Sequence, residues 1–257
     1  MPFTVSHVAA VVPLQRMLGA RTSFSALAIG AMVPDLGYYV QSWTLAVHLH
    51  SLEGAVTTGI AIGLCLFLLY HWLVRPAYVR LLPRWVSSRL EAEAWRRGWP
   101  SREPMWAVLV CLAIGTLTHI GWDSFTHPRA GSLWGDWFAA PVFAEQSLPR
   151  YVVLQHLSTI AGAVALLVGI GLWARATPAH LSPAAAPHGV FGHPLLPLTV
   201  VVVPALVGFA SAAASLSGVR PVEEFLVLVA YFGGACVLAL GLVTGVLVPL
   251  LGLGERR

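Results

Sequence analysis

The segment GTLTHIGWDSFTH, residues 115–127, places His119, Asp123 and His127 four apart. In a helix that spacing stacks all three on one face. Imidazole and carboxylate together suit zinc and similar divalent ions. A pair at i and i+4 can hold one such ion. Asp123 belongs to two pairs, so it could bridge two ions, with His119 on one and His127 on the other. Two metals held this way would acidify water and clamp a phosphoester. Gly115 continues the face one turn earlier, and its missing side chain would let a neighbouring helix come close. Pro128 ends the helix just beyond His127. Asp35, His48 or His50, and His156 are candidates to complete the coordination, with His7 joining them if the N-terminal helix dips into the membrane. Glu53, three residues after His50, is a further oxygen ligand.

These residues need elements that bring them together, and the composition says which elements are available. Of 257 residues, 57% are hydrophobic and 10% charged, against about 25% charged in ordinary soluble domains. Mean hydropathy is +0.76. The chain is therefore an integral membrane protein. A span needs about 20 apolar residues. Residues 54–70, 105–122, 151–173, 195–214 and 225–251 meet that need. A weaker candidate, 24–40, contains Pro34, which should kink it, and Asp35, which is costly in lipid. Segment 3–14 is too short to span and reads as a re-entrant or surface helix. It lacks a basic start and is not read as a cleaved signal peptide. No strand-like alternation is sustained. The expected fold is all-α, a polytopic bundle of five to six spans plus a short N-terminal helix.

Charge sets the orientation. Loop 75–103 carries seven arginines against three glutamates, and positive loops stay in the cytoplasm. With that loop inside, His50, His119, Asp123 and His156 lie at the outer ends of their spans, His127 follows in the outer loop, and Asp35 lies near the outer end of segment 24–40. A net charge of +4 does not imply nucleic acid, because the arginines cluster beside the membrane. Cys65, Cys111 and Cys236 fall in apolar runs and read as buried small residues. The ten tryptophans read as interfacial belt residues, and His71 as an interface anchor. His180, His188 and His193 lie in a Pro/Ala/His loop and read as solvated.

Five ordered blocks, MPFTVSHVAAVVPL, AIGAMVPDLGYY, HSLEG, IGTLTHIGWDSFTH and LQHLSTIAG, resemble the bacterial membrane family of unknown function DUF4184. The resemblance covers roughly residues 1–175. It implies a family core at 1–175, a loop at 176–194 and two additional spans at 195–257. The order of His, Pro-Asp, His-Ser and Gly-x-x-x-His-x-x-x-Asp is also similar to inner-membrane metal-dependent hydrolases and, more weakly, to zinc-dependent phospholipases C. That similarity implies His7, Asp35, His50, His119, Asp123 and His127 as ligands, with Asp123 the bridge. The chain departs from the phospholipase pattern at its last pair: four residues after His156 stands Ile160, where that family has Glu.

The leading expectation is a bacterial inner-membrane protein with an outward-facing site for one or two divalent ions, zinc being the expected metal, that hydrolyses a phosphoester or a lipid head group. Membrane lipid is the expected partner, and nucleic acid is not. The competing expectations are a non-catalytic membrane protein (ion-binding, transport or assembly) and a degenerate enzyme that keeps the fold without the full site. Transport would need charge along a path through the bilayer, and spans 195–214 and 225–251 carry none.

Overall fold

The structure, a computed structural model, describes residues 4–19, 22–76, 79, 84–90, 98–100, 103–143 and 148–179. The expected spans 195–214 and 225–251 and the loop histidines lie outside them. The chain divides into two units, Met1–Phe67 with Ser101–Leu172, and Leu68–Pro100 with Trp173–Arg257. The candidate site lies wholly in the first.

Among the described residues the protein is helical, with one isolated bridge, Pro141 to Pro149, in place of any strand. A 3-10 turn, Thr4–His7, leads into α1, Val8–Leu18. Helix α2, Phe24–Met32, is followed by a second 3-10 turn, Val33–Asp35, and by α3, Leu36–Tyr39. Helix α4 is Trp43–Leu49 and α5 is Leu52–Val74, whose last turn, Tyr70–Val74, is π-helical. A short α6, Arg84–Ser87, precedes α7, Met105–Thr126. Two short helices, α8 at Ala130–Trp134 and α9 at Asp136–Ala139, lead to α10, Arg150–Ala176.

Helices α5, α7 and α10 are long and apolar enough to cross a membrane. They coincide with three of the expected spans. Segment 24–40 is different from the expectation of one kinked span. Pro34 cannot donate to the helical ladder, so the chain breaks into α2, the 3-10 turn and α3, with Val33, Pro34 and Asp35 buried. Irregular backbone of this kind is tolerated at membrane depth when protein covers it. His71, expected at the interface, is buried instead.

The packing of α2 on α7 sets the frame for the site. Ser23 caps α2 by accepting from the Ala26 N–H at 3.1 Å. A Cβ on Gly115 would strike the Leu27 carbonyl, and one on Gly30 the Leu112 carbonyl. The two helices therefore touch backbone to backbone, the small-residue solution to packing in lipid. Thr116 Oγ1 donates across this seam to the Gly30 carbonyl at 3.3 Å. Gly63 on α5 packs on Leu112 and Val33. The buried stripe of α7 runs Val108, Cys111, Leu112, Gly115, Thr116, His119, Asp123, Thr126. It is apolar and small in its first half and ionisable in its second.

Candidate metal centre

The ionisable half of that stripe meets three other pieces of chain. His7 ends the first 3-10 turn, Asp35 ends the second, and His50 follows directly on α4. His119 Nε2 lies 3.6 Å from Asp35 Oδ1 and 3.3 Å from Asp123 Oδ2. His50 Nε2 lies 3.6 Å from the same Asp35 oxygen and 3.4 Å from the same Asp123 oxygen. On the far side of Asp123, Oδ1 is 3.6 Å from His7 Nε2. The His7 ring stacks on that of His119, with centroids 3.8 Å apart.

None of these contacts is a hydrogen bond, yet all are too short for indifference. His7 Nε2, Asp35 Oδ1, His50 Nε2, His119 Nε2 and both Asp123 oxygens are buried without a hydrogen-bond partner. Buried polar atoms are almost always paired, so a cluster of orphans on one centre calls for an explanation. A metal ion held by these side chains would supply one. The four His–Asp separations around His50, His119, Asp35 and Asp123, 3.3–3.6 Å, are in the range of donors that share one ion. Two carboxylates also match the charge of a divalent ion. Two groups of donors satisfy the spacing needed to hold an ion: His7, His119 and Asp123, and Asp35, His50 and His119.

The surrounding bonds fix the donors' aim. His119 Nδ1 donates to the Ala31 carbonyl at 2.7 Å, and His50 Nδ1 to the Ala46 carbonyl at 2.8 Å. Each bond leaves the Nε2 lone pair directed at the cluster. Thr4 Oγ1 donates to Asp35 Oδ2 at 2.6 Å, which leaves Oδ1 for the centre. Burial works against a charge on His50, but the Asp123 and Asp35 carboxylates outweigh it and push its pKa up to about 10. For His7, burial and the neighbouring His119 prevail over the carboxylates and hold it down at about 3.

Not every expected residue joins. His127 lies outside both groups. Helix α7 stops at Thr126, and His127 is extended (φ −128°, ψ 168°), so helical stacking does not reach it. Its Nδ1 sits 3.5 Å from Asp123 Oδ1 but donates to the Asp123 backbone carbonyl at 3.1 Å. His156 belongs to neither group and is exposed on α10, none of whose residues is buried. Of the His48/His50 pair, His50 faces the centre, while His48 bonds Thr58 at 2.9 Å. Glu53 is exposed. Thr4, with the Ala31 and Ala46 carbonyls, was not singled out from the sequence.

The profile of the DUF4184 family, a domain of unknown function, matches residues 1–248. The chain is a member of the DUF4184 family. No curated protein and no solved structure matches it. For this DUF4184 chain the geometry of the centre is therefore the ground for any functional reading.

Proposed function

We propose that this DUF4184 protein is a membrane-embedded, zinc-dependent hydrolase of phosphoesters. The observation that carries the reading is the set of six buried His and Asp atoms that lack hydrogen-bond partners and face one another. When bound, zinc supplies Lewis acidity toward a phosphoryl oxygen and acidifies water at neutral pH. His50, His119, Asp35 and Asp123 would hold it. The Ala31 and Ala46 carbonyls and Thr4 keep His119, His50 and Asp35 in place, so little reorganisation of these three is needed on binding. His7, stacked on His119 and facing the second Asp123 oxygen, is placed to hold a second ion or to orient the phosphoryl group. Hydrolysis would add a water oxygen to phosphorus, break the P–O bond to the leaving alcohol and give that alcohol the proton. His50 is 20% exposed at its side chain, which supports access from outside the core. The arginine-rich loop 75–103 favours a site on the outer face of a bacterial inner membrane.

A second reading rests on a different observation. Four protein donors are enough to close a tetrahedral shell, and closed shells are the mark of structural zinc. That reading makes the ion a clamp among the N-terminal turns and α7, without turnover. Purified protein assayed for bound metal, then screened against phospholipid and nucleotide esters with and without chelator, separates the two. Chelator-sensitive turnover supports the hydrolase. Bound zinc with no turnover of any ester supports the clamp. Wild-type protein that binds no divalent metal overturns both.

A further inference from the structure

Beside the centre lies a cleft of about 380 Å³, lined by residues of the N-terminal turn, α1, the end of α7 and α10. Its size falls in the range of small-molecule sites, about 300–1,000 Å³. Its walls are mostly apolar: Ala9, Ala10, Leu154, Leu157, Ala161 and Ala165. Its polar members, Ser6, His7 and Ser158, include a side chain of the metal centre itself. His7 is thus shared: its Nε2 faces Asp123, and its ring forms part of the cleft wall. Trp122, one residue before Asp123 and half exposed, is another wall residue.

The flank of this cleft belongs to a membrane-crossing helix. Helix α10 carries exposed Leu157, Ile160 and Val164, an apolar face that suits hydrocarbon. Where α10 meets the N-terminal turn, contact is close. A Cβ on Gly162 would come within 2.7 Å of Ser6 Cβ, and Ser6 Oγ donates to the Thr159 carbonyl at 3.0 Å. The helix is pinned there, and the cleft persists alongside. Water gains little from apolar walls at this depth, whereas a hydrocarbon chain fits them and costs no polar desolvation.

We propose that this cleft holds an acyl chain of the substrate, which makes the substrate a lipid phosphoester that enters sideways from the bilayer and presents its phosphate at the His/Asp centre. The proposal rests on the hydrolytic reading of that centre for the word substrate; the acyl site itself does not. Small alanines at 9, 10, 161 and 165 give the chain its room, and His7 marks the point at which hydrocarbon ends and ion chemistry begins.

The test uses the full chain in phosphatidylcholine/phosphatidylglycerol vesicles doped with phosphatidylcholine carrying a diazirine on one acyl chain. After illumination, labelled peptides are mapped by mass spectrometry. Labelling is expected to concentrate on Ala9, Ala10, Leu157 and Ala161, above the level along the rest of α10. Ala161→Trp, and separately Ala165→Phe, should cut cleft labelling at least five-fold, with bound metal per protein unchanged. Labelling spread evenly along α10, or unchanged in both filled variants, overturns the acyl site. So does a cleft unlabelled in the wild type, as expected if residues 180–257 or a second copy cover it. Concentrated labelling without turnover of any ester overturns the hydrolytic reading and leaves the acyl site. Turnover of esters together with even labelling does the reverse.

Discussion

Thr4 and Asp35 are joined by a 2.6 Å hydrogen bond between side chains that are both buried. The bond occupies Asp35 Oδ2 and turns Oδ1 toward His50 and His119. A residue in a 3-10 turn at the start of the chain thereby aims a carboxylate that follows a different helix. Thr4→Val keeps the shape and removes the donor. Losing a partner of this kind costs about 10- to 100-fold in metal affinity. Competition titration against a chelating dye should show that loss with helicity intact. Unchanged affinity would mean that Asp35 is aimed by packing alone.

His119→Ala and Asp123→Asn remove donors common to several of the 3.3–3.6 Å contacts. Both variants are expected to purify with less than a tenth of the wild-type metal. His156→Ala should retain it fully, because His156 is exposed and apart from both groups. Metal analysis of the three proteins side by side checks this. Loss of metal in His156→Ala would restore that residue to the centre.

Proton and cation compete for His50. Its pKa of about 10 means that the imidazole stays protonated through the neutral range when no cation is bound. Binding must then displace that proton, so affinity should rise with pH, about tenfold per unit for one proton released. Calorimetry in buffers of different ionisation enthalpy reads the proton count directly. Affinity that stays flat between about pH 6 and pH 8 would show that no proton leaves His50 on binding.

Gly115→Leu drives a side chain into the Leu27 carbonyl, where even a single carbon finds no room. Overpacking of this kind costs about 1–3 kcal/mol. The more telling readout is metal. Moving α2 away from α7 carries the Ala31 carbonyl off His119, so bound metal should fall along with thermal stability. Gly121→Ala, with open space around it, should alter neither.

Exposed Trp134 and Trp137 sit on α8 and α9, with Phe125 stacked on Trp134 at 4.3 Å and Arg150 over the Trp137 ring at 5.0 Å. Aromatic rings flanked by arginine suit the head-group level. Single-tryptophan variants retaining either residue should be quenched best by lipids brominated near the glycerol end. Stronger quenching by bromine near the bilayer centre would place these helices deeper than an interface.

What the sequence revealed depended on the kind of regularity each residue obeys. His119 and Asp123 lie on one continuous helix, so their spacing of four was enough to pair them. Asp35 and His50 end short elements, and membrane depth put them at the right level without saying which way they point. Depth could not say which way His156 points, because depth along a helix carries no information about azimuth; the residue is exposed on α10. His127 stands one residue past the helical stacking, with its Nδ1 still 3.5 Å from Asp123 Oδ1. The carbonyls of Ala31 and Ala46 belong to backbone that any residue could supply, so no side-chain pattern announces them. The α2–α7 seam was half visible, since Gly115 signalled a close neighbour without naming Leu27. The membrane class followed from composition, and the all-α fold from apolar runs without strand-like alternation.

The centre draws its donors from positions 7, 35, 50, 119 and 123, so the last of them is synthesised more than seventy residues after the third. A nascent chain that has inserted only through α5 owns three of the five and cannot chelate well. Capture of the ion must wait for α7 to leave the translocation machinery and dock against α2. Metal supply during biogenesis would then act as a late checkpoint, and a ribosome-stalled chain ending before His119 should emerge from the membrane fraction without bound metal.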